Sequence, residues 1–132
     1  MARSKGYKDL IVYQKAFILA MKVFQITKKF PKEERYLLTD QFRRSSRSVC
    51  SCLAEAYRKR KYQAYFVNKI SDADAENSET EVWIDFAYAC EYISEQEKED
   101  LEIYAEEVGR MLKSMSENPE KFLPKDKKLT IA

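Results

Sequence analysis

The chain has 132 residues, of which 45% are apolar, a length and composition typical of one domain with a single core. Two Gly and three Pro are too few for the turns of an all-β sandwich or barrel. There is no His, which excludes imidazole-based triads and His-containing metal sites. Three cysteines without framework spacing, no leader-like opening and no apolar run of about eighteen residues predict a reduced, soluble, cytoplasmic protein without a membrane span.

Charge is distributed unevenly along the chain. Residues 1–70 carry 17 Lys/Arg and 5 Asp/Glu, whereas residues 71–110 carry 2 and 14. The net charge of +2 therefore conceals a basic first half and an acidic segment after it.

Apolar residues recur at helical spacing in four blocks separated by short breaks, a pattern typical of amphipathic helices. The first block ends at Phe30-Pro31, because proline disfavours helix in the residue before it. The fourth opens with Ser94 and Glu97 at the spacing of a capping box. The blocks span roughly 9–29, 33–58, 62–91 and 94–116.

The segment between the second and third blocks, from Tyr57 to Tyr62, contains neither Gly nor Pro. Without a turn there, one helix over 33–91 would be ~85 Å long and unable to build a single core. We therefore place a tight turn near 58–62 and predict an all-α fold, an antiparallel up-down four-helix bundle. The predicted parts are an N-terminal tail 1–8, the bundle 9–116 and a C-terminal tail 117–132.

Polar residues interrupt the core seam of the third block, where Asn77 and Thr80 take positions that face the bundle interior. Glu55 and Glu79 lie beside seam positions, and a carboxylate turned inward needs a partner. We favour a polar layer, with Asn77, Thr80 or an Arg as the partner, over a ligand site.

No pattern of catalytic or metal-binding residues is present. The carboxylates between Asp72 and Asp85 have no inward His to complete a di-iron site, so they predict a solvated face. Cys50 and Cys52 have no second pair at zinc spacing, so they predict core positions. With no Gly-rich phosphate loop either, we expect no enzyme, no metal and no cofactor.

Several short segments, in fixed order and spacing, carry a family resemblance. They are Tyr7–Leu10, Tyr13–Ala16, Thr27–Tyr36, Gln41–Ser46, Ala54–Ala56, Ser78–Thr80 and Val108–Leu112. Over roughly residues 7–115 the chain resembles the four-helix bundle proteins encoded in intervening sequences of bacterial 23S ribosomal RNA genes. The resemblance implies a homopentameric ring. It also implies kinship with the accessory variability determinant of diversity-generating retroelements, which assists a reverse transcriptase and its RNA, but it supplies no established biochemical activity.

A basic ridge is the better candidate for a functional surface. Arg43 and Arg47 are one helical turn apart, and Arg58 returns almost to the same angle, so the three project together. Cations beside tyrosines are typical of surfaces that bind single-stranded RNA or DNA, although such residues can also simply solvate a helix face. The predicted nucleic-acid-binding residues are Arg43, Arg44, Arg47, Tyr57, Arg58, Lys59, Arg60, Lys61 and Tyr62.

Aromatic residues off the main stripes predict contacts between subunits. The first block has a second apolar stripe, which is either buried in the same bundle or covered by another copy. A contact between a basic edge and an acidic edge is heterologous and can close into a ring. The predicted interface residues are Tyr13, Phe17, Met21, Phe24, Trp83 and Phe86.

These features lead to two hypotheses of function. The first is a non-enzymatic, ring-forming bundle that acts as a scaffold for nucleic acid or for a nucleic-acid enzyme such as a reverse transcriptase. The alternative is a homo-oligomeric assembly module whose basic residues serve only subunit contacts.

Overall fold

The computed structural model describes residues 6–124 and contains four α-helices in that range. They are α1 (Ile11–Thr27), α2 (Leu38–Arg58), α3 (Gln63–Ala89) and α4 (Glu95–Glu117). No helix in the described range has both the length and the apolar character needed to cross a membrane.

The four helices form an antiparallel bundle in which α1 and α3 each pack against both α2 and α4. Two ion pairs show that α1 and α4 run antiparallel. Lys29, just after α1, pairs with Glu97 in the first turn of α4, whereas Lys15 near the start of α1 pairs with Glu107 further along α4. Short connections join the helices, as in other up-down bundles. The predicted all-α four-helix fold is confirmed.

The connection before α2 differs from the sequence-based prediction. Lys32–Glu34 form a short 3-10 turn, and α2 begins at Leu38 rather than near residue 33. One Glu34 carboxylate oxygen accepts from the Leu38 backbone N–H, and the other accepts from the Tyr92 hydroxyl at 2.9 Å. This last hydrogen bond raises the pKa of Tyr92 to about 12. Glu34 therefore ties the start of α2 to the α3–α4 connection instead of occupying its first turn.

The turn between α2 and α3 lies where the sequence places it. The backbone N–H of Lys59 bonds to the carbonyls of Glu55 and Ala56, and Tyr62 N–H bonds to Lys59 O at 2.9 Å. Arg60 donates from its guanidinium to the Tyr57 carbonyl at 2.9 Å. Hydrogen bonds to the last carbonyls of α2 thus replace the glycine that usually ends a helix.

A polar layer separates the core into two apolar clusters. Phe66 and Ile70 belong to the cluster nearer the α2–α3 turn, and Phe42 and Ile84 to the one at the opposite end. Between them along α2 and α3 lie the buried side chains of Ser45, Asn77 and Thr80. The predicted polar seam is confirmed.

The packed part of the chain extends beyond residue 116. Pro119–Phe122 form a 3-10 segment, Phe122 stacks on Phe66 at 5.7 Å between ring centroids, and Leu123 is buried. At the other end, Tyr7 packs edge-on against Tyr13. Residues 1–5 and 125–132 of the predicted tails lie outside the described range.

Candidate nucleic-acid interface

Three cations surround one aromatic ring where α1 faces α2. Lys28 Nζ lies 4.7 Å from the centroid of the Phe24 ring, the Arg43 guanidinium carbon 4.9 Å and the Arg47 guanidinium carbon 5.8 Å. Helical spacing explains the arrangement, because Lys28 follows Phe24 by four residues on α1, and Arg47 follows Arg43 by four on α2. We call these four residues the Phe24 cluster.

Arg43 is held in place by a buried hydroxyl. Its Nε donates to Thr27 Oγ1 at 2.7 Å, and the Thr27 side chain is only 3% exposed. The Thr27 hydroxyl donates in turn toward the carbonyls of Val23 and Phe24, so its lone pairs are free to accept from Arg43. The guanidinium of Arg43 is therefore oriented by α1, not left to move with solvent.

A second group of cations lies at the α2–α3 turn. The Arg60 guanidinium carbon is 4.0 Å from the Tyr57 ring centroid, Lys59 Nζ is 5.2 Å from the Tyr65 ring, and Lys61 Nζ is 5.1 Å from the Tyr62 ring. Tyr62 and Tyr65 are exposed at the tip of the bundle. We call these six residues the turn cluster.

Arg58 connects the two clusters. It is exposed near the end of α2, eleven residues after Arg47, which corresponds to about 16 Å along the helix and nearly the same angle. The predicted ridge of Arg43, Arg47 and Arg58 therefore runs along one side of α2. We call this ridge, together with the two clusters, the basic face.

Arg44 is separate from this surface. Its guanidinium contacts the carboxylates of Glu76, at 2.9 Å, and Glu79, both on α3. These hydrogen bonds, with the Glu79 bond the larger contribution, raise the pKa of Arg44. The sequence groups Arg44 with the ridge because it lies next to Arg43, but the 100° step of a helix turns it toward α3.

Carboxylate contacts divide the cations of the bundle into two sets. Cations of α1 and α2 that face α3 or α4 are ion-paired, as Lys15 is with Glu107 and Lys22 with Asp100. Lys22 also lies over a ring, that of Tyr104, so a nearby ring does not by itself set the basic face apart. Within residues 6–124, no ion pair is formed by Lys28, Arg43, Arg47, Arg58, Lys59 or Arg60. Other cations, among them Arg35, Arg110 and Lys113, form none in this range either, so the basic face is set apart by the grouping of such cations around aromatic rings.

The residues predicted for subunit contact on α1 have two environments. Phe17 and Met21 are exposed, at 50% and 43%, and line an open cavity of about 560 Å³ between α1 and α4. Tyr13 is half-buried against the core, and burial raises its pKa. Phe24 lies beneath the cations of its cluster. Of these four predicted residues of α1, only Phe17 and Met21 are exposed.

Trp83 and Phe86 form a second apolar patch, at the other side of the bundle. Their ring centroids are 5.9 Å apart. Trp83 is half-buried against the core, whereas Phe86 is 54% exposed. They line a cavity of about 260 Å³ with Leu37, which is also exposed and which periodicity does not indicate because it precedes α2.

The remaining candidate groups have structural partners. Glu79 pairs with Arg44, an Arg partner of the kind that the polar-layer prediction names. The prediction is wrong for Glu55, which is exposed and pairs with Lys69 at 2.7 Å outside the layer. Cys52 is buried, and burial raises the pKa of the Cys50 thiol to about 11. Among the described residues, no group of Cys, Asp and Glu side chains is arranged to hold a metal ion.

Sequence reasoning missed two residues of the site, Thr27 and Lys28. Lys28 carries a local signal, since it is one turn after Phe24 on the same helix face. Thr27 carries none, because its partner Arg43 is sixteen residues away across a helix connection.

Comparison with known proteins agrees with this architecture. A family model described as 23S rRNA-intervening sequence protein matches residues 8–114. The crystal structure of a protein with unknown function from the S23 ribosomal protein family of Bacteroides thetaiotaomicron is similar, with a TM-score of 0.73 and 26% identity. That match covers 80% of this chain and 98% of the other. No curated protein matches the chain. The chain belongs to the 23S rRNA-intervening sequence protein family.

Proposed function

We propose that this protein is a non-enzymatic scaffold that assembles with copies of itself and binds single-stranded RNA or DNA through its basic face. The observation that carries the proposal is the contrast between the two sets of cations. Cations of α1 and α2 that face α3 or α4, such as Lys15 and Lys22, have carboxylate partners, whereas Lys28, Arg43 and Arg47 contact the Phe24 ring and, for Arg43, the Thr27 hydroxyl. The six cations of this face that form no ion pair within residues 6–124 give the electrostatic pattern that attracts a polyanion; they are Lys28, Arg43, Arg47, Arg58, Lys59 and Arg60.

The tyrosines of the turn cluster favour a single strand over a duplex. Tyr62 and Tyr65 are exposed beside Lys59 and Lys61, so their free ring faces can stack on unpaired bases. A duplex hides its base faces within the stack and offers mainly phosphates. Ring stacking next to phosphate contact therefore suits a strand whose bases are open.

Binding should depend steeply on salt. Each phosphate contact on a single strand contributes a slope of about −0.7 to the plot of log K against log salt, so four to six contacts give roughly −3 to −4. Fluorescence anisotropy with a labelled single-stranded RNA, repeated over a series of salt concentrations, measures this slope. Arg43→Gln, Arg47→Gln and Arg58→Gln together should flatten it by about 2, since three contacts are lost.

A charge-matched control is available on the opposite side of α1. Lys15, Lys22 and Lys29 are all paired with carboxylates of α4, so changing these three to Gln removes the same charge without touching the basic face. The control should keep the wild-type slope. Equal loss in both triple variants would show that only net charge matters. No RNA binding by the wild type at low salt would reject the proposal and leave the assembly module in its place.

Assembly is favoured by the apolar surfaces that the monomer leaves uncovered. Phe17 and Met21 lie on the α1–α4 side. Leu37, just before α2, and Phe86, near the end of α3, lie together elsewhere. Two different apolar patches on one chain suit a heterologous contact, which closes into a ring when the rotation permits. A ring of five would present five basic faces to one strand and raise its avidity if the strand reaches several of them.

A further inference from the structure

We propose that Lys28, Arg43 and Arg47 form a discrete site for one phosphate group, with Thr27 as its positioning residue. The inference deepens the proposed function, because it names the part of the basic face that holds a phosphate. It rests first on the convergence of three cations on the Phe24 ring, at 4.7, 4.9 and 5.8 Å from the centroid.

Three like charges in so small a space repel one another. The Phe24 ring offsets this only in part, because a cation–ring contact at an exposed site contributes about 0.5–1 kcal/mol. No carboxylate of residues 6–124 pairs with any of the three cations. An anion bound among them would supply the missing counter-charge. Its binding would convert the repulsion into attraction for the ligand.

The second observation is the way Arg43 is oriented. Arg43 Nε donates a hydrogen bond to Thr27 Oγ1 at 2.7 Å. The two terminal amino groups of Arg43 have no acceptor in the described part of the chain. These groups form the planar fork that binds two oxygens of a phosphate at once. The Thr27 hydroxyl is itself fixed by the Val23 and Phe24 carbonyls. The fork is thus oriented before any ligand arrives, which lowers the entropy cost of binding.

The roles of the other two cations follow from their exposure. Lys28 and Arg47 are both exposed near Phe24, one just after α1 and one on α2. Each can swing toward a ligand held by Arg43, and a Lys contributes a point charge with no fixed geometry. The site therefore suits a tetrahedral dianion or the phosphate of a nucleic acid backbone better than a planar carboxylate.

Nuclear magnetic resonance of the side-chain N–H groups tests the site directly. The Arg43 Nε–H signal, protected by Thr27, should shift and saturate on titration with inorganic phosphate, while sodium chloride at equal ionic strength should leave it unmoved. Arg43→Gln serves to assign the signal. A signal that ignores phosphate would overturn the site.

Variants at Thr27 separate positioning from folding. Thr27→Val removes the acceptor and should weaken phosphate binding by about tenfold, the equivalent of one lost hydrogen bond of roughly 1.4 kcal/mol. Thr27→Ser restores the hydroxyl and should recover binding to within about twofold. Weakening by Thr27→Ser as large as by Thr27→Val would show that the hydroxyl has no positioning role and would overturn that part of the inference.

Two further arms distinguish the source of the phosphate and separate this inference from the proposed function. If single-stranded RNA shifts the same signal and competes with phosphate, the ligand is a backbone phosphate. If phosphate binds and RNA does not compete, the site is a site for free phosphate, and the proposed binding of RNA at this part of the basic face is wrong. If the Lys28→Gln, Arg43→Gln, Arg47→Gln variant keeps the wild-type salt slope for RNA, RNA binds through the turn cluster and not through this site. If that variant also binds inorganic phosphate as tightly as the wild type, the site itself is wrong.

Discussion

Ser45 Oγ lies 2.8 Å from Thr80 Oγ1 in the middle of the bundle, and this contact joins α2 to α3 within the polar layer. Thr80 also donates to the Glu76 carbonyl one turn earlier, at 3.0 Å. The Ser45 hydroxyl has a longer contact, 3.4 Å, with the Phe42 carbonyl. Because each hydroxyl has one hydrogen and the Thr80 bond to Glu76 is the shorter of the two backbone contacts, we infer that Ser45 donates and Thr80 accepts between the helices. Both residues are fully buried, so water cannot replace the bond.

We expect Thr80→Val to lower the free energy of unfolding by about 1–3 kcal/mol, because the Ser45 hydroxyl is left with only its long contact to the Phe42 carbonyl, at 3.4 Å. The double variant Ser45→Ala, Thr80→Val removes both hydroxyls. It should cost less than the sum of the two single variants, because it leaves no donor without an acceptor. Urea unfolding followed by circular dichroism measures all three. Additive effects would show that the two hydroxyls are not coupled.

The polar layer shows what helical periodicity can predict. Asn77 and Thr80 fall in the core seam of the third block because burial follows the 3.6-residue period whatever the side chain. Their partners do not follow from the sequence. Asn77 donates to the Ala105 carbonyl on α4 at 2.8 Å, a contact set by the register of two packed helices. The prediction that α2 begins near residue 33 is wrong for a similar reason, because Glu34 is hydrogen-bonded to Tyr92, which lies in the distant α3–α4 connection.

Gly109→Ala should stabilise the bundle. Gly109 lies within α4, where glycine costs roughly 0.5–1 kcal/mol relative to alanine. A Cβ at this position would lie 3.4 Å from Asn77 Nδ2, an ordinary contact distance. We therefore expect a gain of about 0.5–1 kcal/mol in the free energy of unfolding, measured as a higher urea midpoint at constant slope. A lower midpoint would mean that the added methyl group pushes α3 and α4 apart, and that the bundle needs the close packing that glycine allows.

Glu97 should give the bundle an acid-sensitive contact. Lys29, at 2.6 Å, and then the Ser94 backbone N–H hold the pKa of the Glu97 carboxyl below its usual range. A lowered folded-state pKa adds stability that is present at neutral pH and lost as the pH falls through that pKa. Glu97→Gln keeps an oxygen for the capping box but carries no charge.

The measurement is the melting temperature of wild type and Glu97→Gln across the acid range. We expect the wild type to melt higher near neutral pH. The difference should shrink once the pH falls below the ordinary Glu pKa of about 4.3 and disappear below the lowered pKa of the folded Glu97 carboxyl, where it becomes protonated. Lys29→Met should show the same behaviour. A difference that persists at low pH would mean that the amide disturbs the cap itself.

Assembly is tested at exposed residues, because Trp83 also packs against the core. Phe17→Lys and Phe86→Lys should each reduce the molar mass measured by light scattering at micromolar concentration, with unchanged helix content. Ile103→Lys is the control, since Ile103 is 62% exposed on α4 and outside the predicted interface. A wild type that is monomeric under these conditions would contradict the assembly.

The basic face marks the limit of sequence reasoning about the site. The ridge of Arg43, Arg47 and Arg58 follows from spacing on one helix, which any helix of this sequence would have. The position of Phe24 beside the cations of α2 depends on how α1 packs against α2. Contacts between helices decide which cations are neutralised, and these contacts cannot be predicted from the sequence of one helix.

Arg43 and Arg44 are neighbours in the chain with opposite expected roles. Arg44 is ion-paired with Glu76 and Glu79, so Arg44→Gln should leave the affinity for single-stranded RNA and its salt slope almost unchanged. Because the Arg44 pairs are partly exposed, the same change should lower the free energy of unfolding by at most about 1 kcal/mol. Arg43→Gln should reduce RNA affinity and flatten the slope by about 0.7, the loss of one phosphate contact.

The two variants carry the same charge change at adjacent positions, so net charge cannot explain a difference between them. Anisotropy with labelled RNA gives the affinities, and urea unfolding confirms that each variant is folded under the binding conditions. Equal weakening of RNA binding by Arg44→Gln and Arg43→Gln would show that an ion-paired guanidinium is as available to phosphate as an unpaired one. The division of the cations by carboxylate contact would then lose its meaning, and with it the main support for the basic face.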